Sequence, residues 1–388
     1  METQTFSNFQ QDATNDKILT FDIANINLGI VNSLRRVILS EIPNVAVAFD
    51  PLTDSNPDIT IIANTSPLHN EILGHRLSFI PICLSETEIE DFHSEKYRFV
   101  IKVKNTTNEI ISVTSKDIEV FDEKGQKYPP AFHARVFPMN KLTKEHVLLV
   151  KLRPNIYNNE DGEEVHIEFR ASKNIAKTHA RWSPVSCCAF KNTVDEEKAA
   201  AALQKELEDA AQQKGSELTE DERAKIVRRF ETLDKYRYFK VNEYDEPCQW
   251  NFKIESECAL SPRYILDKAI KVLHDKFVQF LDKVQAKKDI VVRATHASKK
   301  LYEVVVDNED YTLVNMLQCI VYDNHIRFEY DPILSYIGYH QPHPLDTKMV
   351  VKLAYYTEQT EEDIWAFLEK YVSSDILASI DYVQRRLV

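Results

Sequence analysis

His179 and Cys187 lie close together in the sequence, with Trp182 between them. A thiol beside an imidazole can supply a thiolate nucleophile, provided a third group orients the base. No neighbour offers that third group, and Trp182 with Pro184 suits a rigid packed loop. His69, His75 and Cys83 are of metal-ligating types, but a structural zinc site takes four ligands and the fourth is missing. The other cysteines, Cys188, Cys248, Cys258 and Cys319, complete no Cys-x-x-Cys pair, so the six read as reduced, mostly buried thiols.

Arg35 and Arg36 offer a different chemistry, bidentate recognition of an anion. Three uses stand open for the pair: nucleic-acid contact, a solvated helix face, or a subunit-docking surface. The glycines are few and widely separated, so no phosphate-cradling G-x-G-x-x-G or Walker A loop can be assembled. A net charge of -13 argues against a chain that works mainly by clamping nucleic acid, which needs clustered Lys and Arg. No Asp cluster points to magnesium chemistry. No run approaches the ~20 apolar residues of a membrane span. The polar opening METQTFSNFQQDATND is no signal peptide, so a cytosolic or nuclear, non-secreted protein is expected.

Elements must position these residues. Leu19, Phe21 and Ile23 alternate with polar neighbours and predict a strand, as do Val45, Val47 and Phe49. Between them Val31, Leu34 and Ile38 make one helical face, with Asn27 as N-cap and Pro43 ending the helix near Glu41. Short alternating runs at 99–103, 110–113, 118–121, 147–150 and 165–169, with turn signals at Gly125 and Gly162, predict a mostly antiparallel β module. Asp195 to Leu233 reads as a solvated helical hairpin broken near Gly215, its second half capped by Thr219 and Glu222. Trp250, Phe252 and Ile254 predict a strand. Leu266, Ile270, Leu273, Phe277, Phe280 and Val284 then predict a long helix over 264–285 with one apolar face.

After Lys287 the pattern begins again. Strands are predicted at 290–292 and 304–306, and Thr312 or Asp310 caps a helix that turns Val314, Leu317 and Val321 inward. Met349, Val351 and Leu353 predict a strand. A last helix over 362–387 carries Ile364, Leu368, Tyr371, Ile376, Ile380, Val383 and Leu387. Val31-Asn32-x-Leu34 thus returns as Val314-Asn315-x-Leu317, in the same order of strand, capped helix, strand and long helix. The recurrence predicts two halves of one chain that pair as a homodimer would.

Three stretches stand in order along the first half: 32–43 (NSLRRVILSEIP); 64–68 with 74–77 and 80–82 (NTSPL, GHRL, IPI); and 176–184 (AKTHARWSP). Two more follow in the second, 310–317 (DYTLVNML) and a loop at 337–345 (IGYHQPHPL), with Lys348 leading into the final strand. Together they resemble the assembly subunits of multi-subunit DNA-directed RNA polymerases. That family includes the bacterial alpha amino-terminal domain, the archaeal D and L subunits, and the third-largest and eleventh subunits of RNA polymerase II. Residues 195–245 have no counterpart. Many relatives hold zinc or an iron–sulfur cluster on cysteines of the inserted domain, where this chain has only Cys83.

The resemblance implies an α+β chain of two pseudo-symmetric halves, each similar to the alpha amino-terminal dimerisation module. Residues 1–49 and 172–286 would form the larger half with 195–245 as a helical insertion, 50–171 an inserted β-rich domain, and 287–388 the smaller half. It implies a non-catalytic assembly platform that docks the largest and second-largest subunits beside two small zinc-binding subunits. DNA is met only through the complex, no membrane is involved, and magnesium and zinc are expected only in the partners. Docking is expected from Arg35, Arg36, Glu41, His75, Arg76, His179, Arg181 and Trp182. Pairing is expected from Val31, Leu34, Ile38, Leu273, Phe277, Val314, Leu317, Val321, Leu368 and Ile380. Fusion of the two subunits is similar to the arrangement in large DNA viruses, which implies a transcription protein of the virion and host cytoplasm, or otherwise of nucleus or cytoplasm. The alternative is a free-standing interaction scaffold with the same fold.

Overall fold

The computed structural model of the chain describes residues 5–50, 58–141, 143–155, 162–257, 259–295, 299–327 and 332–387. Cys258 lies outside them. From the N-terminus, β1 (Phe6–Gln11) and β2 (Ile18–Ala24) lead into α1 (Leu28–Ser40) and the short β3 (Asn44–Ala46). Then β4 (Ile59–Asn64), α2 (Asn70–Ser78) and α3 (Glu86–Glu90) precede β5 (Arg98–Lys104), β6 (Ile111–Thr114) and β7 (Ile118–Phe121). Next, α4 (Pro130–Val136) is followed by β8 (Leu148–Leu152), β9 (Glu164–Phe169), β10 (Ser172–Asn174) and β11 (Val185–Asn192). Helices α5 (Glu196–Lys214) and α6 (Glu220–Arg229) come before β12 (Gln249–Ser256) and α7 (Pro262–Ala286). The last stretch holds β13 (Ile290–Ala294), β14 (Leu301–Asp307), α8 (Tyr311–Tyr322), β15 (Leu334–His340), β16 (Lys348–Tyr355), α9 (Glu361–Tyr371) and α10 (Ala378–Arg386). These elements divide into two compact units, and the division falls inside α1 and α7.

One unit takes Met1–Arg36, Cys187–Ile254 and Ile270–Val388. Its first sheet has the order β1-β2-β12-β11. Alternation along β12 buries Trp250, Phe252 and Ile254, and Phe252 stacks on Phe21 of β2 with ring centroids 5.2 Å apart. The second sheet, β13-β14-β16-β15, is antiparallel throughout and begins with Ile290 opposite Val306. Helix α8 packs on β15 and β16. All ten residues expected to pair the halves are buried. Each apolar side chain of Leu, Ile or Phe size so buried contributes about 1.5–3 kcal/mol.

Within this unit α1 and α8 touch along their lengths. The Arg36 Nε donates to the Thr312 hydroxyl at 3.0 Å, and the Ser33 hydroxyl donates to the Thr312 carbonyl at 3.3 Å. At the other end the Asn27 side-chain amide donates to Asp323 at 2.5 Å. Gly29 sits so near Cys319 that a Cβ added there would come within 2.9 Å of the Cys319 Cβ. Early residues of one helix meet late residues of the other, so the two run antiparallel. Helix α7 adds polar ties to the second half: Lys283 to Glu309 at 3.0 Å, Lys276 to Asp310 at 3.5 Å, and His274 to Asp381 at 3.4 Å.

Three local expectations need correction. The strand predicted across Val45, Val47 and Phe49 reaches only Ala46. The loop predicted at 337–345 is strand up to His340, the end of β15. The last helix is not uniform, since a π-helical stretch, Val372–Leu377, separates α9 from α10. Its physical reason is the spacing of the buried residues. Ile364, Leu368, Val372, Ile376 and Ile380 recur every fourth residue, a period that outruns the 3.6 of an α-helix and drifts off its face unless a wider turn restores it.

The other unit takes Val37–Ser186 and Glu255–Ala269. Its main sheet has the order β4-β9-β5-β7, and β6–β8 and β10–β3 form two separate two-stranded sheets. The Ser85 hydroxyl and the Glu88 carboxylate form a capping box at the start of α3, and Arg135 from α4 donates twice to Glu88, both at 2.7 Å. The Arg135 bonds, helped by Ser85, hold the Glu88 carboxyl down from 4.5 to about 2. A carboxyl whose pKa is lower folded than unfolded stabilises fully above its unfolded value, and that stabilisation is lost as the pH falls toward its folded value. Arg135→Ala should therefore cost about 1 kcal/mol at neutral pH. It should also flatten the loss of stability between pH 4.5 and 2, read as urea midpoints across that range; an unchanged acid slope would refute the pairing.

Candidate partner-docking surface

Helix α2 is pinned by Leu73 and Leu77, both fully buried, and by Gly74, where an added Cβ would stand 2.5 Å from the Phe49 ring. That close approach leaves Ile72, His75 and Arg76 exposed on the opposite side. Arg76 donates to the Leu148 carbonyl at 2.8 Å. Directly after the helix stands Phe79, 47% exposed although a phenyl ring of its size is usually covered. The His75 ring meets it edge-on at 5.0 Å.

The third sequence stretch arrives at the same ring. His179 caps a short 3-10 turn, Ala180–Trp182, and its Nδ1 accepts from the Arg181 backbone N–H at 3.2 Å and from the Arg181 Nε at 3.1 Å. Nδ1 is therefore the unprotonated nitrogen of the neutral ring. The Arg181 Nη1 donates to the Val47 carbonyl at 3.1 Å. Its guanidinium lies 5.8 Å from the Phe79 centroid and 5.5 Å from that of Trp182, cation–π range for both. Trp182 is buried beneath, its indole N–H donating to the Ser172 carbonyl at 3.0 Å. His179 lies 5.7 Å from Phe79.

Burial, then the Arg181 cation and the neighbouring His75, push the His179 imidazole below its ordinary range and so keep it neutral. Burial also lowers Arg181, opposed by the carboxylates of Asp50 and Asp58. The result is a partly desolvated cation held by neutral acceptors and aromatic faces. Such a group recognises anions and aromatic or apolar side chains.

Of the expected docking residues, His75, His179, Arg181 and Trp182 come together here. Arg76 lies beside His75 on α2, and Glu41 is half-buried just past α1. Arg35 and Arg36 belong to the other compact unit. There Arg35 is folded back on the Asn32 side chain through two bonds of 3.0–3.1 Å, and Arg36 is engaged by Thr312. Sequence reasoning passed over Phe79. Its signal is visible in retrospect: between Leu77 and Ile80, which enter the core, a third large apolar residue has no inward position left. Of the candidate thiol Cys187 and its neighbour, Cys187 is half-buried, and burial pushes the Cys188 thiol up to about 12. Among the described residues His69, His75 and Cys83 join no group of three or more ligands placed to hold a metal ion.

The family model for the RNA polymerase Rpb3/Rpb11 dimerisation domain matches residues 20–277. The chain is 26% identical over 313 residues to mouse "DNA-directed RNA polymerases I and III subunit RPAC1", covering 72% of this chain and 85% of that protein. It is 27% identical over 316 residues to the human protein of the same name, with the same coverage. To "DNA-directed RNA polymerase II subunit RPB3" of Schizosaccharomyces pombe it is 26% identical over 205 residues, or 49% of this chain and 60% of that one.

Proposed function

Because this chain belongs to the RNA polymerase Rpb3/Rpb11 dimerisation-domain family, we propose that it is an assembly subunit of a multi-subunit DNA-directed RNA polymerase that carries both members of the dimer in one polypeptide. In this reading 287–388 acts as the smaller member, and the pair seats the two largest subunits, with small zinc-binding subunits alongside. Its contribution is stoichiometric, holding the two sides of a catalytic cleft in register.

One observation carries the intramolecular pairing. The offset that lays Val31 on Val314 also lays Asn27 on Asp310, Gly29 on Thr312 and Arg36 on Cys319. Asn27 accepts from the Gly29 N–H at the start of α1, and Asp310 accepts from the Thr312 N–H at the start of α8. Gly29 lies against Cys319, and Thr312 receives Arg36. Each contact is the other with the helices exchanged, which is the rule of an isologous two-fold interface. The side chains have diverged, small against thiol on one side and hydroxyl against guanidinium on the other. A heterodimer differs from a homodimer in the same way.

The test uses the full chain with a C-terminal affinity tag and a protease site placed at Lys287-Lys288, between α7 and β13. After cleavage, native capture through the tag should retain the first half together with two very large subunits. Release of the first half would overturn the pairing. Retention of the first half without large subunits would favour the free-standing scaffold instead.

A further inference from the structure

The Arg181 guanidinium is half-buried and its bonding is incomplete among the described residues. Nε is taken by His179 and Nη1 by the Val47 carbonyl, while Nη2 has no acceptor among the described residues. Removing a cation partly from water costs free energy that neutral acceptors repay only in part, and a carboxylate repays it best. The exposed Phe79 ring forms one wall beside the guanidinium. Two of the fork's nitrogens are fixed before any partner arrives, so little rotamer entropy remains to be lost on binding.

We propose that Arg181 and Phe79 form a receptor for an acidic segment of the docked subunit, a carboxylate meeting Nη2 and a neighbouring apolar side chain meeting the Phe79 ring, with His179 as the positioning residue that must stay neutral. The proposal rests on the assembly reading above and adds to it the chemistry of the partner. His179 positions Arg181 through an acceptor at Nδ1, and a proton there converts the acceptor into a donor aimed at another donor. Capture should thus be complete at neutral pH and fall as the pH drops below the ordinary imidazole value of about 6.5. The other charged or titratable groups acting here are His75 on the His179 ring and Asp50 and Asp58 on Arg181.

The experiment is capture of the large subunits from nuclease-treated extract by tagged full-length chains, quantified at pH 7.5 and 5.5 (about one unit either side of the imidazole value). Arg181→Ala and Arg181→Lys should each weaken capture about tenfold to a hundredfold, lysine included because it lacks the fork. His179→Asn, whose amide oxygen takes the place of Nδ1 as acceptor, should lose the acid dependence. Thermal midpoints within a few degrees of the parent would show that the variants are folded. Undiminished capture by both Arg181 variants would overturn the proposal, as would an acid dependence that survives His179→Asn. Capture abolished by nuclease alone would assign the site to a phosphate backbone instead. If the parent chain captures no large subunit from untreated extract either, the assembly reading itself has failed, which is a different result.

Discussion

Phe277→Ala should lower the stability of its unit by about 3–5 kcal/mol. The side chain is fully buried on α7. Against a total of about 5–15 kcal/mol for a domain, that is roughly a fifth or more of what holds the unit together. With a urea slope near 3 kcal/mol per molar for a unit of this size, the midpoint should fall by roughly 1–2 M. Leu233→Ala is the matched control, since Leu233 is 67% exposed and its truncation should stay within about 0.5 kcal/mol. Equal midpoints for the two variants would mean that the apolar face of α7 is not part of a core.

A second large effect is expected at Gly29. Here a side chain meets two neighbours at once: the Asn27 Oδ1 at 2.8 Å, which caps α1, and the Cys319 Cβ at 2.9 Å, on α8. Gly29→Val should cost about 1–3 kcal/mol through overpacking and about 1 kcal/mol more through the disturbed cap. Because the crowding is pairwise, Cys319→Gly in the same chain should return part of it, with a coupling of roughly 0.5–3 kcal/mol in a double-mutant cycle. Additive losses in that cycle would refute the direct helix contact.

Much of the architecture was legible because burial wrote itself into period and caps. The stripe from Leu266 to Val284, the box of Thr219 and Glu222 and the cap at Asn27 each state a local rule that the fold obeys. The elements that escaped notice break those rules. In β1, FSNFQQ has little apolar alternation and a bulge after Ser7, with Asn8 at φ 54°. In β15 a glycine and a register shift interrupt the pattern, and α2 carries Gly74 where its packing residue would be. The docking surface was half legible. His75, His179 and Arg181 were visible as residue types, but Phe79 acquires meaning only when two stretches about a hundred residues apart converge on its ring. Arg36 shows the limit from the other side. Its bond to Thr312 is a tertiary fact that no spacing announces.

The order of strands β1-β2-β12-β11 has a consequence for synthesis. More than two hundred residues leave the ribosome between β2 and its neighbour β12. At about 5–20 residues per second that interval is roughly 10–45 s, during which Phe21 and Ile23 have no lasting cover. The second unit is interrupted in the same way, since 255–269 must follow 37–186 before it is whole. Nascent chains of this protein therefore spend most of translation with apolar β surface exposed, so holding chaperones and the pace of elongation should govern its yield more strongly than its final stability does.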